Sequence, residues 1–237
     1  MQGLIEGRVA IITGSTRGIG RAMAELFAAH GAKVVVNGRK PEDAAAVAAT
    51  IPGSLAVAGD MSDEAVVDAL VERTLAEFGR IDILVNNAAI SRRAAVTRVT
   101  NAEWDEVLRV NLTGPMYVSR AVIPTMKTQN YGVIVNVISG AATSGSIGFT
   151  SYAASKGGLI GLTMTWALEL ARFNIRVNAL SPSALTDMMM ELPPDLLEPM
   201  KERLPSPADV AGAALALVSD LSKTITGQIV NATAKSA

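Results

Sequence analysis

The chain has no cysteine and one histidine, and both shortages limit the chemistry that it can perform. Without cysteine there is no disulfide, no thiolate nucleophile and no cysteine-based zinc site. The one histidine, His30, precedes Gly31 at the end of an apolar helical pattern, where it can satisfy the last carbonyls of a helix. A Ser-His-Asp triad or a histidine metal site therefore lacks its base or its ligands. An acid or base here has to be a carboxylate, a lysine or a tyrosine.

Charge imbalance, aromatic residues and long apolar runs are also scarce. A net charge of −1 offers no general attraction to nucleic acid or acidic membranes. Aromatic residues make up 4% of the chain, so aliphatic side chains have to build the core. No apolar run approaches the ~18 residues of a membrane span, and the N-terminal stretch lacks the basic start and cleavage site of a signal peptide. We expect a soluble cytoplasmic protein with no metal, no nucleic acid and no membrane partner.

Short runs rich in valine and isoleucine are abundant, and they alternate with helical patterns. The runs are continuously apolar, which is typical of parallel strands covered on both faces. Thr100 with Glu103 forms a capping-box pattern, and Ser206 followed by Pro207 marks a second helix start. A weaker strand pattern lies at 227–232. The clear strand patterns lie at 8–13, 32–37, 54–59, 82–87, 132–137 and 175–180.

This alternation predicts a single α/β domain over residues 1–237. The expected fold is a doubly wound Rossmann-type domain, with a mostly parallel seven-stranded sheet flanked by helices. Ligands of such sheets bind at the carboxyl ends of the strands, so we expect the segment at about 183–206 to cover the substrate. Its methionines and leucines either line an apolar pocket or form the buried face of a small helix, and the sequence leaves both open.

A glycine-rich loop, TGSTRGIG at 13–20, follows the first predicted strand and opens the first predicted helix. Gly14, Gly18 and Gly20 permit a tight turn and let backbone N–H groups approach a pyrophosphate. A plain glycine-rich turn has the same composition, but the strand–loop–helix context favours dinucleotide binding.

Tyr152 and Lys156 stand four residues apart at the start of an apolar helical pattern, so they share one helix face. An ammonium group beside a phenol favours the phenolate, which predicts a lowered tyrosine pKa and a proton donor usable near neutral pH. Taken alone, such a pair is more often a tyrosine packed in a core and a lysine that reaches for solvent.

The order and spacing of these motifs resemble a classical short-chain dehydrogenase/reductase over nearly the whole chain. The glycine loop is similar to the family's T-G-x-x-x-G-x-G, and NNAA at 86–89 is similar to its N-N-A-G. Asn111, Ser139, and Tyr152 with Lys156 stand at the family's active-site positions. Within the family, the chain looks most like 3-oxoacyl-carrier-protein reductases.

The resemblance implies a role for each of these four residues. Ser139 would hydrogen-bond the substrate carbonyl while Tyr152 donates a proton to its oxygen during reduction. Lys156 would hold the nicotinamide ribose and lower the tyrosine pKa, and Asn111 would seat a water that leads protons to the lysine. The reaction would be hydride transfer between a nicotinamide cofactor and a small-molecule ketone or secondary alcohol, with a 3-oxoacyl thioester as one candidate.

The implied cofactor site runs along the carboxyl edge of the sheet. Asp60, after the third predicted strand, would cap the adenine. The expected cofactor-binding residues are Gly14, Ser15, Thr16, Arg17, Gly18, Ile19, Gly20, Arg39, Asp60, Met61, Asn87, Ala88, Ala89, Tyr152, Lys156, Pro182 and Thr186.

The end of the second predicted strand favours NADP, with NAD as the second choice. NAD sites of this fold usually have a carboxylate there, and the stretch VVVNGRK has none. Arg39 and Arg17 can bind a 2′-phosphate through charge-assisted hydrogen bonds, whereas they gain little from a hydroxyl. The alternative is that Arg39 and Lys40 are merely solvated.

Three departures from the family pattern bear on cofactor affinity and assembly. Ala89 replaces the last glycine of N-N-A-G, Ser183 replaces the glycine of a P-G motif, and the ending TGQIVNATAKSA lacks the usual glycines. They lend mild support to a non-catalytic NAD(P)-binding regulator, whereas the intact catalytic set argues against it. An epimerase or dehydratase of the extended branch needs a larger C-terminal domain than this chain has.

Family members commonly form tetramers, so we expect a homotetramer, with a homodimer as the alternative. Four apolar side chains on the helix after Ser151 exceed what one sheet face needs, which suits a subunit contact. They are Leu159, Leu162, Trp166 and Leu170.

Overall fold

Seven strands and eight α-helices make up the computed structural model within residues 3–182 and 204–233, which are the residues that the structure describes. The strands are β1 (Val9–Ile12), β2 (Lys33–Gly38), β3 (Leu55–Ala58), β4 (Ile83–Asn86), β5 (Gly132–Val137), β6 (Ile175–Pro182) and β7 (Ile229–Ala232). The helices are α1 (Gly18–Ala29), α2 (Pro41–Ala48), α3 (Glu64–Phe78), α4 (Asn101–Leu108), α5 (Gly114–Gln129), α6 (Ala141–Ser144), α7 (Thr150–Leu170) and α8 (Pro207–Val218).

The strands form one sheet in the order β3-β2-β1-β4-β5-β6-β7, and every neighbouring pair is parallel. This confirms the predicted fold class, including the weaker strand at 227–232, which begins at Ile229. From β1 the chain adds strands toward one edge of the sheet as far as β3, and from β4 onward it adds them toward the other edge. A crevice for ligands opens at such a reversal, on the side of the strands' carboxyl ends.

Two apolar layers cover the sheet, because successive residues of each strand face opposite sides. On one face Ile12 packs with Phe27 of α1 and Val210 of α8. On the other face Ile11 packs in a layer that includes buried residues of α3, α5 and α7. Burial on both faces explains why the strands are continuously apolar in sequence.

The predicted helix starts are confirmed by the capping interactions. Thr100 Oγ1 accepts a hydrogen bond from the Glu103 N–H at 3.2 Å, and Glu103 Oε2 accepts one from the Thr100 N–H at 3.1 Å. Ser206 and Asp209 make the same reciprocal pair. His30 ends α1 through its backbone N–H, while its Nδ1 is buried without a partner among the described residues.

The apolar surface of α7 differs from the prediction. Leu159 and Leu170 are 0% and 3% exposed, because they pack inside the single chain. The large apolar side chains that α7 exposes are Met164 and Leu168, at 48% and 83%. The sequence alone could not rank these residues, since the helix is apolar around much of its circumference. In the described ranges, no helix combines the length and the apolar character that crossing a membrane requires.

Candidate active site

A cleft of about 1330 Å³ opens along the carboxyl edge of the sheet. Its walls are the glycine loop, the ends of β2 to β6 and the start of α7. Two predicted residues, Asn111 and Ser15, lie behind its walls rather than on its surface. Thr186 lies outside the described residues, and so does most of the segment at 183–206 that was predicted to cover the substrate. The predicted residues that line the cleft are Gly14, Thr16, Arg17, Gly18, Ile19, Gly20, Arg39, Asp60, Met61, Asn87, Ala88, Ala89, Ser139, Tyr152, Lys156 and Pro182.

The glycine loop is packed so closely that side chains would not fit. A Cβ on Gly20 would lie 2.4 Å from the Gly14 carbonyl oxygen, and one on Gly14 would lie 2.8 Å from Ala88 Cα. Arg17 is the N-cap residue of α1, and its side chain makes no capping hydrogen bond. The N-cap side chain therefore leaves the N–H groups of the first helical turn to other acceptors. Such an N-terminus beside a narrow glycine turn fits the pyrophosphate of a dinucleotide.

Ser15 lies behind the cleft wall, and its predicted part in cofactor binding stays a prediction. It is fully buried, its N–H donates to the Asn37 carbonyl at 2.8 Å, and its hydroxyl donates to the Ile12 carbonyl at 2.7 Å. Since both groups are bonded inside the protein, Ser15 braces the loop against β2. Asn37 completes the brace, because its Oδ1 accepts from the Gly14 N–H at 3.2 Å.

The NNAA stretch supports the glycine loop from the other side. Asn87 Nδ2 donates to the carbonyls of Thr13 and Gly14 at 2.9 and 3.0 Å. Thr13, which sequence reasoning did not single out, accepts from the Asn87 and Ala88 N–H groups through its Oγ1. Ala89 is not among the described non-glycine residues with positive φ, so its methyl group is accommodated without left-handed backbone.

Tyr152 and Ser139 both line the cleft, and Ser139 lies close enough to lower the pKa of the tyrosine as a hydrogen-bond partner. Ser139 Oγ also accepts from the Ala141 N–H at 3.2 Å, which orients the hydroxyl. The ring of Phe149 packs edge-on against the tyrosine ring, with centroids 6.0 Å apart. A polar atom bound between these two hydroxyls would have a hydrogen-bond donor on each side.

Lys156 lies beneath this pair and is 2% exposed. Its Nζ donates to the Val137 carbonyl at 2.7 Å and lies 5.7 Å from the centroid of the Tyr152 ring. Burial lowers the lysine pKa to about 7, because the ammonium is removed from water. The spacing of the two residues therefore predicted their meeting, and α7 places both at the cleft.

The predicted lowering of the Tyr152 pKa is not what the structure shows. Burial raises the pKa of this tyrosine, and the hydrogen bond from Ser139 opposes that rise. The causes of the shift are burial and Ser139, while Lys156 Nζ donates to the Val137 carbonyl. Desolvation of the phenol is the larger effect here.

Asn111 is fully buried in a π-helical turn, Arg109–Thr113, between α4 and α5. Its Oδ1 accepts from the Ile90 N–H and its Nδ2 donates to the Ile90 carbonyl, each at 2.8 Å. Nδ2 also donates to Ser155 Oγ at 3.1 Å. Asn111 thus ties the loop after β4 to α7, next to Lys156. Its part in a proton relay stays a prediction.

At the far end of the cleft, Asp60 is held as a charged acceptor. Burial tends to raise its pKa, but hydrogen bonds from Ser62 and Arg109 outweigh burial and leave the pKa below its ordinary value. The Ser62 hydroxyl donates to Oδ1 at 2.7 Å, and Arg109 Nη1 donates to Oδ2 at 3.2 Å. Sequence reasoning missed Ser62 and Arg109, since neither belongs to a motif.

The low pKa of Lys156 predicts a pH-dependent stability in the cofactor-free protein. Between pH 7 and the ordinary lysine value of 10.5, the unfolded chain holds a proton that the folded chain has released. The free energy of unfolding should therefore rise with pH in this window, relative to Lys156→Met, by about 1.4 kcal/mol per pH unit. Below pH 7 the penalty of the buried charge is fully present and the difference levels off.

Urea denaturation at several pH values measures this difference. The same substitution at exposed Lys223 is the control, and its stability should run parallel to that of the wild type. If the difference in unfolding free energy between wild type and Lys156→Met stayed constant from pH 6 to 10, the lysine would not be desolvated.

The cleft fits a dinucleotide at its glycine-loop end and an acid–base pair at its other end. Within the described ranges, no group of three histidine, aspartate or glutamate side chains could hold a metal ion. The tyrosine, serine and lysine lie together at the acid–base end of this cleft.

Comparisons with known proteins agree with this geometry. The family model described as short chain dehydrogenase matches residues 8–196. A 3-oxoacyl-[acyl-carrier-protein] reductase of Thermotoga maritima is 41% identical, covering 95% of this chain and 96% of the relative. A (2S)-[(R)-hydroxy(phenyl)methyl]succinyl-CoA dehydrogenase subunit of Thauera aromatica is 39% identical, covering 95% and 94%.

A solved structure is similar over the same extent. The crystal structure of a 3-ketoacyl-(acyl-carrier-protein) reductase from Brucella melitensis, complexed with NADH, has a TM-score of 0.91 and 39% identity. The match covers 96% of this chain and 97% of that one. The chain belongs to the short-chain dehydrogenase family, and it is an oxidoreductase that uses a nicotinamide cofactor.

Proposed function

We propose that this protein is an NADP-dependent carbonyl reductase whose substrates are 3-oxoacyl thioesters or similar ketones. The observation that carries the proposal is that Ser139, Tyr152 and buried Lys156 line one cleft that continues to the glycine loop. A protein that only sensed a nucleotide would gain nothing from this acid–base arrangement, which argues against the alternative of a non-catalytic regulator.

Each catalytic residue has a part in this proposal. The bound nicotinamide supplies or accepts the hydride. Ser139 holds the substrate carbonyl oxygen, and Tyr152 donates the proton that this oxygen takes up during reduction. Lys156 binds the cofactor ribose and restores the proton to Tyr152, while Asn111 keeps the loop after β4 against α7. Since burial holds the lysine pKa at about 7, the lysine exchanges protons readily near neutral pH.

The proposed preference for NADP rests on the charges at the end of β2. Arg17, Arg39 and Lys40 line the cleft there, and Asp43 is the one acid that lines the cleft close to them in sequence. The end of β2 has no carboxylate, although NAD-binding sites of this fold usually have one there. The Asn37 amide is bonded to Gly14, Val57 and Gly59. The Brucella melitensis reductase was solved with NADH, so NAD is the alternative that experiment has to exclude.

The proposed substrate class rests on the relatives. Both the Thermotoga maritima and the Thauera aromatica enzymes act, by their names, on acyl thioesters. We therefore expect NADPH oxidation with acetoacetyl-CoA, and slower oxidation with simple ketones and quinones. Absorbance at the NADPH band measures this directly. Tight NADPH binding with no turnover of any ketone, quinone or thioester would favour the regulator instead.

We further propose a homotetramer, with a homodimer as the alternative, and a cytoplasmic location that rests on the sequence alone. The exposed Met164 and Leu168 on α7 offer apolar surface for a subunit contact. Light scattering at micromolar concentration measures the assembly, and a monomer would contradict both states.

A further inference from the structure

The substrate end of the cleft carries an arginine that the proposed mechanism does not use. Arg93, in the loop after β4, lines the cleft together with the segment between α6 and α7. Apart from Lys156, it is the one charged side chain that the described structure places in this part of the lining. The two acids of the lining, Asp43 and Asp60, both belong to the opposite end, after β2 and β3.

Backbone contacts join the loop that carries Arg93 to the segment just before Tyr152. The N–H of Ala94 donates to the Gly148 carbonyl at 2.9 Å, and Ala94 forms a parallel bridge with Phe149. Phe149 in turn packs against the Tyr152 ring. The loop that carries Arg93 is therefore attached to the residues that begin α7.

Gly148 provides the space in which the arginine side chain lies. Its φ is +82°, and a Cβ at this position would lie 3.0 Å from Arg93 Cγ and 3.4 Å from its Nε. The stem of Arg93 thus crosses the backbone of residue 148 at close range. A side chain there would press on the arginine stem and would strain the backbone, whose φ is positive.

Arg93 has no ion pair or hydrogen bond among the described residues, whereas its neighbour does. Arg92 Nη2 lies 3.0 Å from Glu106 Oε2 and pairs with that carboxylate. Arg93 is exposed and lines the cleft, and the acids of the described lining, Asp43 and Asp60, lie at the other end. An anion that entered this end of the cleft would find a charge-assisted, potentially bidentate partner there.

We propose that Arg93 binds an anionic group, a carboxylate or a phosphate, that the carbonyl substrate carries away from its reacting carbon. The inference rests on the proposed function, because it concerns the substrate of the same cleft. Ile147, which is 92% exposed, and Phe149 border the same space and suit the apolar chain between the carbonyl and the anion. Arg93 is thus a specificity residue, and the substrate class is acidic ketones.

Two matched pairs of substrates test the assignment and distinguish the two anions. The first pair is monoethyl and diethyl 3-oxoadipate, which differ by one carboxylate. The second pair is acetoacetyl-CoA and the N-acetylcysteamine thioester of acetoacetate, which share the ketone but of which only the CoA thioester carries phosphates. In each pair we compare kcat/KM for the charged substrate with kcat/KM for the neutral one. If Arg93 binds the anion of that pair, Arg93→Gln should lower this ratio by about tenfold or more. The neutral member and the dissociation constant of NADPH should change by less than about twofold.

Arg92→Gln is the matched control, since it removes a neighbouring charge that is already paired, and it should leave both ratios unchanged. A second readout needs no turnover. Calorimetry measures the binding of the same four compounds to the NADP-loaded Tyr152→Phe variant and to the double variant that also carries Arg93→Gln. Charge preference in binding without any turnover by the wild type would overturn the proposed function and keep the role of Arg93. Ratios that Arg93→Gln leaves unchanged in both pairs, or an equal loss for charged and neutral members, would overturn the role of Arg93.

Discussion

The Tyr152→Phe variant is expected to lose about 10³-fold in turnover while it binds NADPH within about twofold of the wild-type affinity. The substitution removes the hydroxyl that would donate the proton, and it leaves the ring packed against Phe149. The pyrophosphate and adenine ends of the cleft are formed by other elements, so cofactor affinity should persist. Stopped-flow NADPH oxidation with acetoacetyl-CoA and fluorescence titration of NADPH measure the two quantities separately.

Tyr131→Phe is the matched control for this loss. Tyr131 also has a partly buried ring, but it precedes β5 at the amino edge of the sheet, where the Arg8 guanidinium lies 3.8 Å from its centroid. Removal of its hydroxyl should leave turnover nearly unchanged. If Tyr152→Phe turned over as fast as the wild type, the proton would have another donor and the proposed mechanism would be wrong.

Arg39→Asp is expected to raise the dissociation constant for NADPH about 100-fold, and that for NADH by no more than about threefold. The wild-type arginine is exposed at the end of β2 and lines the cleft beside Lys40. The substitution would remove a charge-assisted hydrogen bond to the 2′-phosphate and place a carboxylate near it. The same carboxylate can accept hydrogen bonds from ribose hydroxyls, so NADH should not suffer equally.

Isothermal titration with both cofactors, at fixed ionic strength, measures the change in preference. Arg172→Asp is the control, because it makes the same change in net charge just before β6, at the amino edge of the sheet. It should leave both dissociation constants within about twofold. Wild-type protein that bound NADH as tightly as NADPH would contradict the assignment of NADP.

The sequence by itself determined the architecture and the location of the Tyr152–Lys156 pair. Continuous apolar runs predicted the first six strands, because parallel strands inside a sheet are covered on both faces and this requirement is local to each run. The seventh strand had only a weaker pattern, and the structure leaves it partly exposed. The glycines of the loop at 13–20 follow from backbone sterics, which also act locally. The four-residue spacing of Tyr152 and Lys156 placed both on one face of α7, since helix periodicity is a local property as well.

Only the tertiary structure decided burial, electrostatics and the supporting contacts. Ser15 belongs to the predicted motif yet is bonded within the protein, because Asn37 of β2 packs against the loop. The Tyr152 pKa is raised, because desolvation depends on the elements that cover the phenol rather than on its neighbour in sequence. Arg93 resembles any exposed arginine until Gly148, distant in sequence, brings the loop after β4 to the start of α7. Local patterns specify dihedral angles and faces, whereas pKa values and site membership depend on which distant segments pack together.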